Sequence, residues 1–177
     1  MEPASLTLEF ARCTACMACE LACSFYKEGF FAPAFSRIKV VQVYELGVNV
    51  PIVCVNCREA PCIPSCPSEA IVRDGPLGTV RIVAELCSAC GECVEACPYG
   101  AVHIPAGREV ALMCDLCGGQ PACVPACLYG ALSCAGQADA AYAPLELAPG
   151  GLDLPEKRWQ VAGAVAARLG EAREVEA

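Results

Sequence analysis

The chain has 177 residues, and 17 of them are cysteine, while one histidine, one tryptophan and 6% aromatic residues leave little material for a conventional hydrophobic core. A net charge of −8 argues against nucleic acid as a partner. No apolar stretch reaches the roughly 18 residues that span a bilayer, and the N-terminal sequence lacks the features of a secretory signal. We therefore expect a cytoplasmic protein without a membrane span, although transport across a membrane with a signal-bearing partner is left open.

Sixteen of the cysteines form four groups, here called tetrads, each of which begins C-x2-C and ends C-x3-C. In chain order the tetrads are Cys13, Cys16, Cys19 and Cys23; Cys54, Cys57, Cys62 and Cys66; Cys87, Cys90, Cys93 and Cys97; and Cys114, Cys117, Cys123 and Cys127. This regularity indicates an internal repeat. Cys134 stands outside the repeat, and we interpret it as a buried free thiol.

The spacing within the tetrads favours iron–sulfur clusters over other uses of cysteine. Disulfides across a two-residue gap gain little loop entropy and strain easily. Zinc sites usually separate their C-x2-C pairs by about a dozen residues or more, whereas the third cysteine here follows the second by three to six residues. A compact run of three thiolates with a fourth after C-x3-C is typical of a [4Fe–4S] site, whose fourth cysteine ligates the other cluster of a pair. Zinc is the weaker alternative.

The segments between the tetrads predict short strands and short helices. Valine-rich, partly alternating sequence predicts a strand over 37–45. Residues 68–83 predict a hairpin that turns at 75–78. The C-x3-C step of the third tetrad fits one helical turn, which Pro98 ends.

Two apolar segments after the third and fourth tetrads, 99–104 and 129–134, are also predicted as strands. His103 lies in the first of them, and we interpret it as a structural residue or a modest tuner of redox potential. The segment 29–35 carries three aromatic residues. Core packing and a partner contact are both open for these residues.

The C-terminal region has a different composition. Residues 136–152 are rich in Ala, Pro and Gly, which indicates a linker. Residues 153–177 predict a helix with Asp153 at the N-cap and an apolar stripe. This helix either folds back on its own module or docks on another subunit or a second copy of the chain, and we favour docking. The residues expected to make that contact are Trp159, Val165 and Leu169.

The tetrads CTACMACELAC, CVNCREAPCIPSCP, CSACGECVEACP and CDLCGGQPACVPAC resemble those of the four-cluster ferredoxin-like subunits of multi-subunit oxidoreductases. That family includes the electron-transfer subunits of dimethyl-sulfoxide reductases, formate dehydrogenases, hydrogenases, carbon-monoxide dehydrogenase and tungsten-dependent aldehyde oxidoreductases. The resemblance covers about residues 10–135. It implies an α+β fold of two interleaved bacterial-ferredoxin-like dicluster modules with short β-hairpins and short helices. The implied division is an outer module of 1–50 with 108–135, an inner module of 51–107, the linker 136–152 and the C-terminal docking helix 153–177.

The resemblance also implies how the sixteen cysteines are shared among four [4Fe–4S] clusters. In that family each fourth cysteine crosses to a neighbouring cluster, so that inner tetrads pair with each other and outer tetrads do the same. The implied ligand sets are Cys13, Cys16, Cys19 and Cys127; Cys114, Cys117, Cys123 and Cys23; Cys54, Cys57, Cys62 and Cys97; and Cys87, Cys90, Cys93 and Cys66.

A cluster with four cysteine ligands has no open iron, so the chain is expected to transfer electrons rather than to catalyse a reaction. The resemblance implies a large catalytic partner, for which we favour a tungsten- or molybdenum-pterin subunit of the aldehyde oxidoreductase type. A flavin subunit or another acceptor is expected at the other end of the relay, and further copies of the chain are possible partners through the C-terminal helix. The alternatives are a subunit of a hydrogenase, formate dehydrogenase or carbon-monoxide dehydrogenase, a free polyferredoxin, and, from another class, a zinc-stabilised interaction scaffold.

Overall fold

The structure is a computed structural model that describes residues 5–75, 77–134 and 154–175. Within these ranges the chain forms short strands and helices, most of them joined by irregular loops. The bounds are β1 Leu6–Leu8, α1 Ala18–Glu28, β2 Ile38–Val43, β3 Val48–Val53, β4 Ile71–Asp74, β5 Thr79–Ile82, α2 Glu92–Ala96, α3 Cys123–Ala126, β6 Leu132–Cys134 and α4 Leu154–Val175. This combination of short strands and helices confirms a small α+β protein. No helix in the described ranges is long and apolar enough to cross a membrane.

The strands form three separate antiparallel pairs. β2 pairs with β3 and β4 pairs with β5 as hairpins, while β1 pairs with β6, which lies more than 120 residues further along the chain. The predicted strand over 37–45 and the predicted hairpin over 68–83 are therefore confirmed. The β1–β6 pair joins two segments of the expected outer module, and the division into modules itself stays a prediction.

One predicted strand is wrong. Of the segment 99–104, only His103 pairs, in an isolated antiparallel bridge with Leu112. The proline that follows at position 105 has no N–H and cannot extend a ladder. The segment 129–134 does contain a strand, but it is limited to β6.

Cys134 is exposed, so its interpretation as a buried thiol is wrong. It is the last residue of β6, whose partner within the described ranges is β1, in a two-stranded sheet. The end of such an edge strand lies beyond the core, although Leu132 two residues earlier is buried. The position of a residue in its strand, rather than its chemistry, sets its burial here.

Helix α4 packs against the β2–β3 hairpin of its own chain. Val161, Ala162, Val165 and Ala166 are 0–2% exposed, and they join one core cluster with the hairpin residues. Small side chains at this helical spacing let α4 lie flat on the β-branched face of the hairpin. The expectation that this apolar stripe docks on another subunit is therefore wrong for Val165.

The other two predicted contact residues of α4 differ in exposure. Trp159 is 45% exposed, and Leu169 is partly buried against the core cluster. A partner contact by Trp159 thus stays a prediction. The predicted linker 136–152 and the predicted N-cap Asp153 lie outside the described residues.

The aromatic residues of segment 29–35 lie mostly at the surface. Phe31 is 67% exposed and stacks on Phe25 with a ring-centroid distance of 4.7 Å. Phe30 is 49% exposed and meets Phe35 edge-on at 5.8 Å. Core packing does not describe Phe30 and Phe31, so a partner contact is the interpretation that remains for them.

Candidate metal centres

Each tetrad turns its backbone in the same way. The residue immediately before the second cysteine has a left-handed backbone conformation in all four tetrads, with φ between +49° and +55°. These residues are Ala15, Asn56, Ala89 and Leu116. Left-handed conformations are unfavourable for residues with a Cβ, by about 1–2 kcal/mol each, and persist only when the surroundings require them. Alternating right- and left-handed residues direct successive N–H groups into one concavity, which suits an anionic group.

Three cavities of nearly equal size are lined by thiols from two tetrads. Their volumes, counting the open mouths, are about 330, 300 and 310 Å³. The cysteines in their walls are Cys13, Cys16, Cys19 and Cys127 for the first, Cys66, Cys87, Cys90 and Cys93 for the second, and Cys23, Cys114, Cys117 and Cys123 for the third. Each cavity thus combines three thiols of one tetrad with the fourth thiol of another.

The remaining four cysteines also influence one another. Burial raises the pKa of Cys62 to about 12, and the negative charge of Cys97 is the next cause. Burial is the main cause of the raised pKa values of Cys54 and Cys57. Among the neighbouring thiolates, Cys97 raises both values most. Cys97 therefore lies close to three thiols of the second tetrad, about 40 residues away in sequence.

Backbone N–H groups donate to three of the four cysteines that end a tetrad. The N–H groups of Arg37, Ala70 and Ala131 donate to sulfur at 3.2–3.3 Å. Their acceptors are Cys23, Cys66 and Cys127, respectively. Hydrogen bonds to sulfur stabilise the thiolate and, in an iron–sulfur protein, tune the potential of the cluster.

The thiols suit a polynuclear metal group better than a single ion. A single zinc ion would draw its thiolates to about 2.3 Å from one centre. The thiols of three sets instead stand around open-mouthed cavities, beside loops that contain left-handed residues. This donor set fits a [4Fe–4S] cluster.

Burial keeps several of these thiols protonated in the absence of a positive centre. Burial raises the pKa of Cys19 and Cys114 to about 12 and that of Cys93 to about 11. Thiolates bind metal, so loading the site must release these protons.

Polar residues outside the tetrads hold two of the loops in place. The guanidinium of Arg73, on β4, donates to the carbonyl oxygens of Cys57 and Gly78. Asp115 accepts the N–H of Cys117 at 3.0 Å and forms an ion pair with Lys27 at 2.6 Å. Sequence reasoning missed both roles. The Asp115 turn follows the common side-chain-to-backbone pattern over two residues, whereas nothing in the sequence points to Arg73.

His103 lies outside all four thiol sets. It is 5% exposed, its Nε2 is 3.2 Å from the carbonyl oxygen of Ala34, and its Nδ1 has no hydrogen-bond partner within the described part of the chain. Burial, followed by the positive charge of Arg158, lowers its pKa to about 4. This neutral, buried imidazole fits a structural role.

Comparison with known proteins identifies the family. Residues 47–137 match the model of the 4Fe-4S dicluster domain, and residues 10–26 match a 4Fe-4S binding domain. The first match spans just over half of the chain, and the chain therefore belongs to the 4Fe-4S dicluster domain family. The expected cluster type is thus confirmed, while the number of clusters and the particular oxidoreductase subfamily stay predictions.

Curated relatives resemble part of the chain. The polyferredoxin-like subunit of aliphatic sulfonate oxidoreductase from Pyrococcus furiosus is 44% identical over 97 residues, which are 55% of this chain and 56% of that protein. The electron transport protein HydN from Escherichia coli is 37% identical over 107 residues, 53% and 55% of the two chains. A sulfite dehydrogenase subunit from Allochromatium vinosum is 29% identical over 129 residues, which are 62% of this chain and 54% of that protein. The chain spans about half the length of these relatives.

Among solved structures, the active-site complex BamBC of benzoyl coenzyme A reductase aligns over 75% of this chain and 76% of the chain in that structure. The sequence identity is 26% and the TM-score is 0.46.

Proposed function

We propose that the chain is a non-catalytic electron-transfer subunit that relays single electrons through four [4Fe–4S] clusters. The observation that carries this proposal is the arrangement of thiols, in which three cavities of similar size each take three cysteines from one tetrad and a fourth from another. Relatives over half the chain are named as an electron transport protein and as subunits of oxidoreductases, which supports the same role.

The proposed ligand sets follow the cavities and the influence of Cys97 on the second tetrad. They are Cys13, Cys16, Cys19 and Cys127; Cys114, Cys117, Cys123 and Cys23; Cys54, Cys57, Cys62 and Cys97; and Cys87, Cys90, Cys93 and Cys66. Each set has four thiolates, which closes the coordination of every iron. The chemical step on a substrate would therefore take place in a partner subunit.

Each tetrad would provide ligands to two clusters, and this sharing would keep neighbouring clusters close enough for electron transfer. When bound, a [4Fe–4S] cluster accepts and donates one electron at a time. Cys93 and Cys97 lie on and directly after the short helix α2, and four residues of helix rise by about 6 Å. A single helical turn would thus connect two neighbouring clusters, which keeps the path between them short.

The partner is proposed to be a large catalytic subunit with a tungsten- or molybdenum-pterin cofactor, of the aldehyde oxidoreductase type. Oxidation of its substrate would release two electrons, which would leave singly through the clusters to a flavin subunit or another acceptor. Exposed aromatic residues offer contact surface for such partners, namely the stacked pair Phe25 and Phe31, and Trp159 on α4. We also propose a cytoplasmic location for the complex, because a reducing compartment keeps cysteine available as a metal ligand.

Purification of the complex from its native host tests the partner. A tagged chain, purified anaerobically, is expected to bring down a large subunit with tungsten or molybdenum and pterin in about equimolar amount. Nickel in the co-purified subunit would instead indicate a hydrogenase or carbon-monoxide dehydrogenase. A chain that carries clusters but co-purifies with no subunit would contradict the proposed role in a complex and would favour a freely diffusing polyferredoxin.

A further inference from the structure

A buried lysine of α4 contacts the helix that precedes Cys97. Lys157 is 7% exposed, and its Nζ donates to the carbonyl oxygens of Val94 at 3.1 Å and Glu95 at 2.9 Å. These carbonyls belong to the last turn of α2, for which Cys97 is the C-cap residue. A lysine in this position satisfies free carbonyls and offsets the negative end of the helix dipole. Its ammonium group therefore lies directly against this segment.

Arg158 contacts the other side of Cys97. Its Nε donates to the carbonyl oxygen of Gly100 at 2.8 Å. A Cβ on Gly100 would lie 2.9 Å from Cγ of Arg158, and Gly100 also has φ of +62°. Helix α4 therefore approaches the backbone after Cys97 so closely that only glycine fits. The two neighbouring cations hold the chain at residues 94–95 and at residue 100, with the proposed cluster ligand between them.

Arg158 lies within electrostatic range of the Cys97 thiol. Burial lowers the pKa of Arg158, and the negative charges of Glu20 and Cys97 oppose this effect. Arg158 thus senses both a carboxylate and the thiolate of Cys97. Lys157 is buried, and burial of a cation is unfavourable unless negative charge or hydrogen-bond acceptors lie nearby. A negatively charged cluster at Cys97 would supply that charge.

We propose that Lys157, assisted by Arg158, raises the reduction potential of the [4Fe–4S] cluster that Cys97 completes. The proposal rests on the proposed function. A [4Fe–4S] cluster with four thiolates becomes more negative by one charge on reduction, and a fixed cation nearby stabilises the more negative state more. A buried, water-excluded cation acts more strongly than an exposed one.

Redox titration of the full chain, loaded with clusters and monitored by electron paramagnetic resonance, tests this assignment. Lys157→Met keeps the apolar length of the side chain and removes the charge, whereas Lys157→Arg keeps the charge. Arg168→Gln is the matched control, because Arg168 lies on the same helix and is exposed. In Lys157→Met the equilibrium constant for one-electron reduction of one cluster is expected to fall about tenfold, or ~59 mV. That cluster should be the one whose signal Cys97→Ser alters.

The other variants separate charge from packing. Lys157→Arg should restore the potential, Arg158→Gln should lower it by a smaller factor, and Arg168→Gln should leave all clusters unchanged. An unchanged potential in Lys157→Met would overturn the proposal, as would a shift that persists in Lys157→Arg or one that affects every cluster equally. A chain that binds no iron and sulfide at all would instead overturn the proposed function, so the two failures are distinguishable.

Discussion

At the scale of single residues, the informative contrast is between two cysteines one helical turn apart. Cys93 lines a cavity with Cys87 and Cys90 of its own tetrad, whereas Cys97 raises the pKa values of thiols in the second tetrad. The C-x3-C step places them on successive turns of backbone, so their sulfurs lie near different groups of thiols. A change at one of them is therefore expected to affect one cluster more than the other.

Cys97→Ser should damage the cluster of Cys54, Cys57 and Cys62 more than the cluster of its own tetrad. Serine offers a weaker ligand, so we expect iron and sulfide each to fall by about four per chain, or one signal to change its potential. Iron and sulfide analysis with electron paramagnetic resonance measures this. Cys134→Ser is the matched control, because Cys134 is exposed and outside every tetrad. Loss of the Cys87–Cys93 cluster alone would show that each tetrad holds its own cluster.

The single histidine gives a pH-dependent prediction. The pKa of His103 is lowered to about 4, first by burial and then by the positive charge of Arg158, with Lys39 and Arg37 adding to the effect. Because the unfolded chain would protonate near pH 6.5, His103 contributes full stability above that pH. This contribution is lost progressively as the pH falls from 6.5 towards 4, by about 2 kcal/mol at pH 5.

Nuclear magnetic resonance can follow this titration directly, since the chain has only one imidazole. The expected midpoint is near 4, against a midpoint near 6.5 for free histidine in the same sample. A midpoint at the free value would mean that the imidazole is solvated, and the acid-dependent loss of stability would then need another source.

At the scale of elements, α4 behaves as part of the core rather than as a free docking helix. Its residues Val161 and Val165 are buried against β2 and β3, and Lys157 and Arg158 contact the backbone around Cys97. The same helix leaves Trp159 45% exposed. One face thus packs on the β2–β3 hairpin, while Trp159 lies on the exposed side.

Val165→Ala should lower the free energy of unfolding by about 2 kcal/mol. The substitution removes two buried methyl groups and leaves a small cavity. Anaerobic thermal unfolding of the loaded chain measures the effect as a lower melting temperature. Arg168→Ala, at an exposed position of the same helix, should change the melting temperature little. Equal melting temperatures for wild type and Val165→Ala would mean that α4 does not pack on the hairpin in solution.

At the scale of the whole molecule, local features could be predicted and distant contacts could not. The tetrads, the β4–β5 hairpin and strand β2 follow from spacing and alternation within about fifteen residues. The β1–β6 pair and the contact of Lys157 with Val94 join positions at least 60 residues apart, and such contacts leave no periodic pattern in the sequence. The packing of α4 could not be predicted for this reason, because an amphipathic stripe identifies a buried face but not the surface that covers it.

The exposed aromatic pair of Phe25 and Phe31 is expected to contribute to assembly with the catalytic partner. Phe31→Ser removes the more exposed ring of the stacked pair, which is 67% exposed. We expect it to weaken binding of the catalytic partner at least tenfold, as central aromatic contacts commonly do, without altering the cluster content. Binding of the isolated partner by surface plasmon resonance measures this. Tyr44→Ser, at a residue 75% exposed, is the control. Equal effects of both changes would rule out a specific role for the pair.

The most direct test of the central claim is the metal and sulfide content of the anaerobically purified chain. Four cubane clusters require about sixteen irons and about sixteen acid-labile sulfides per chain, with a brown colour that bleaches on reduction as about four electrons are taken up. We expect these values and negligible zinc. A colourless protein that holds zinc and no sulfide would contradict it and would favour the zinc-stabilised scaffold.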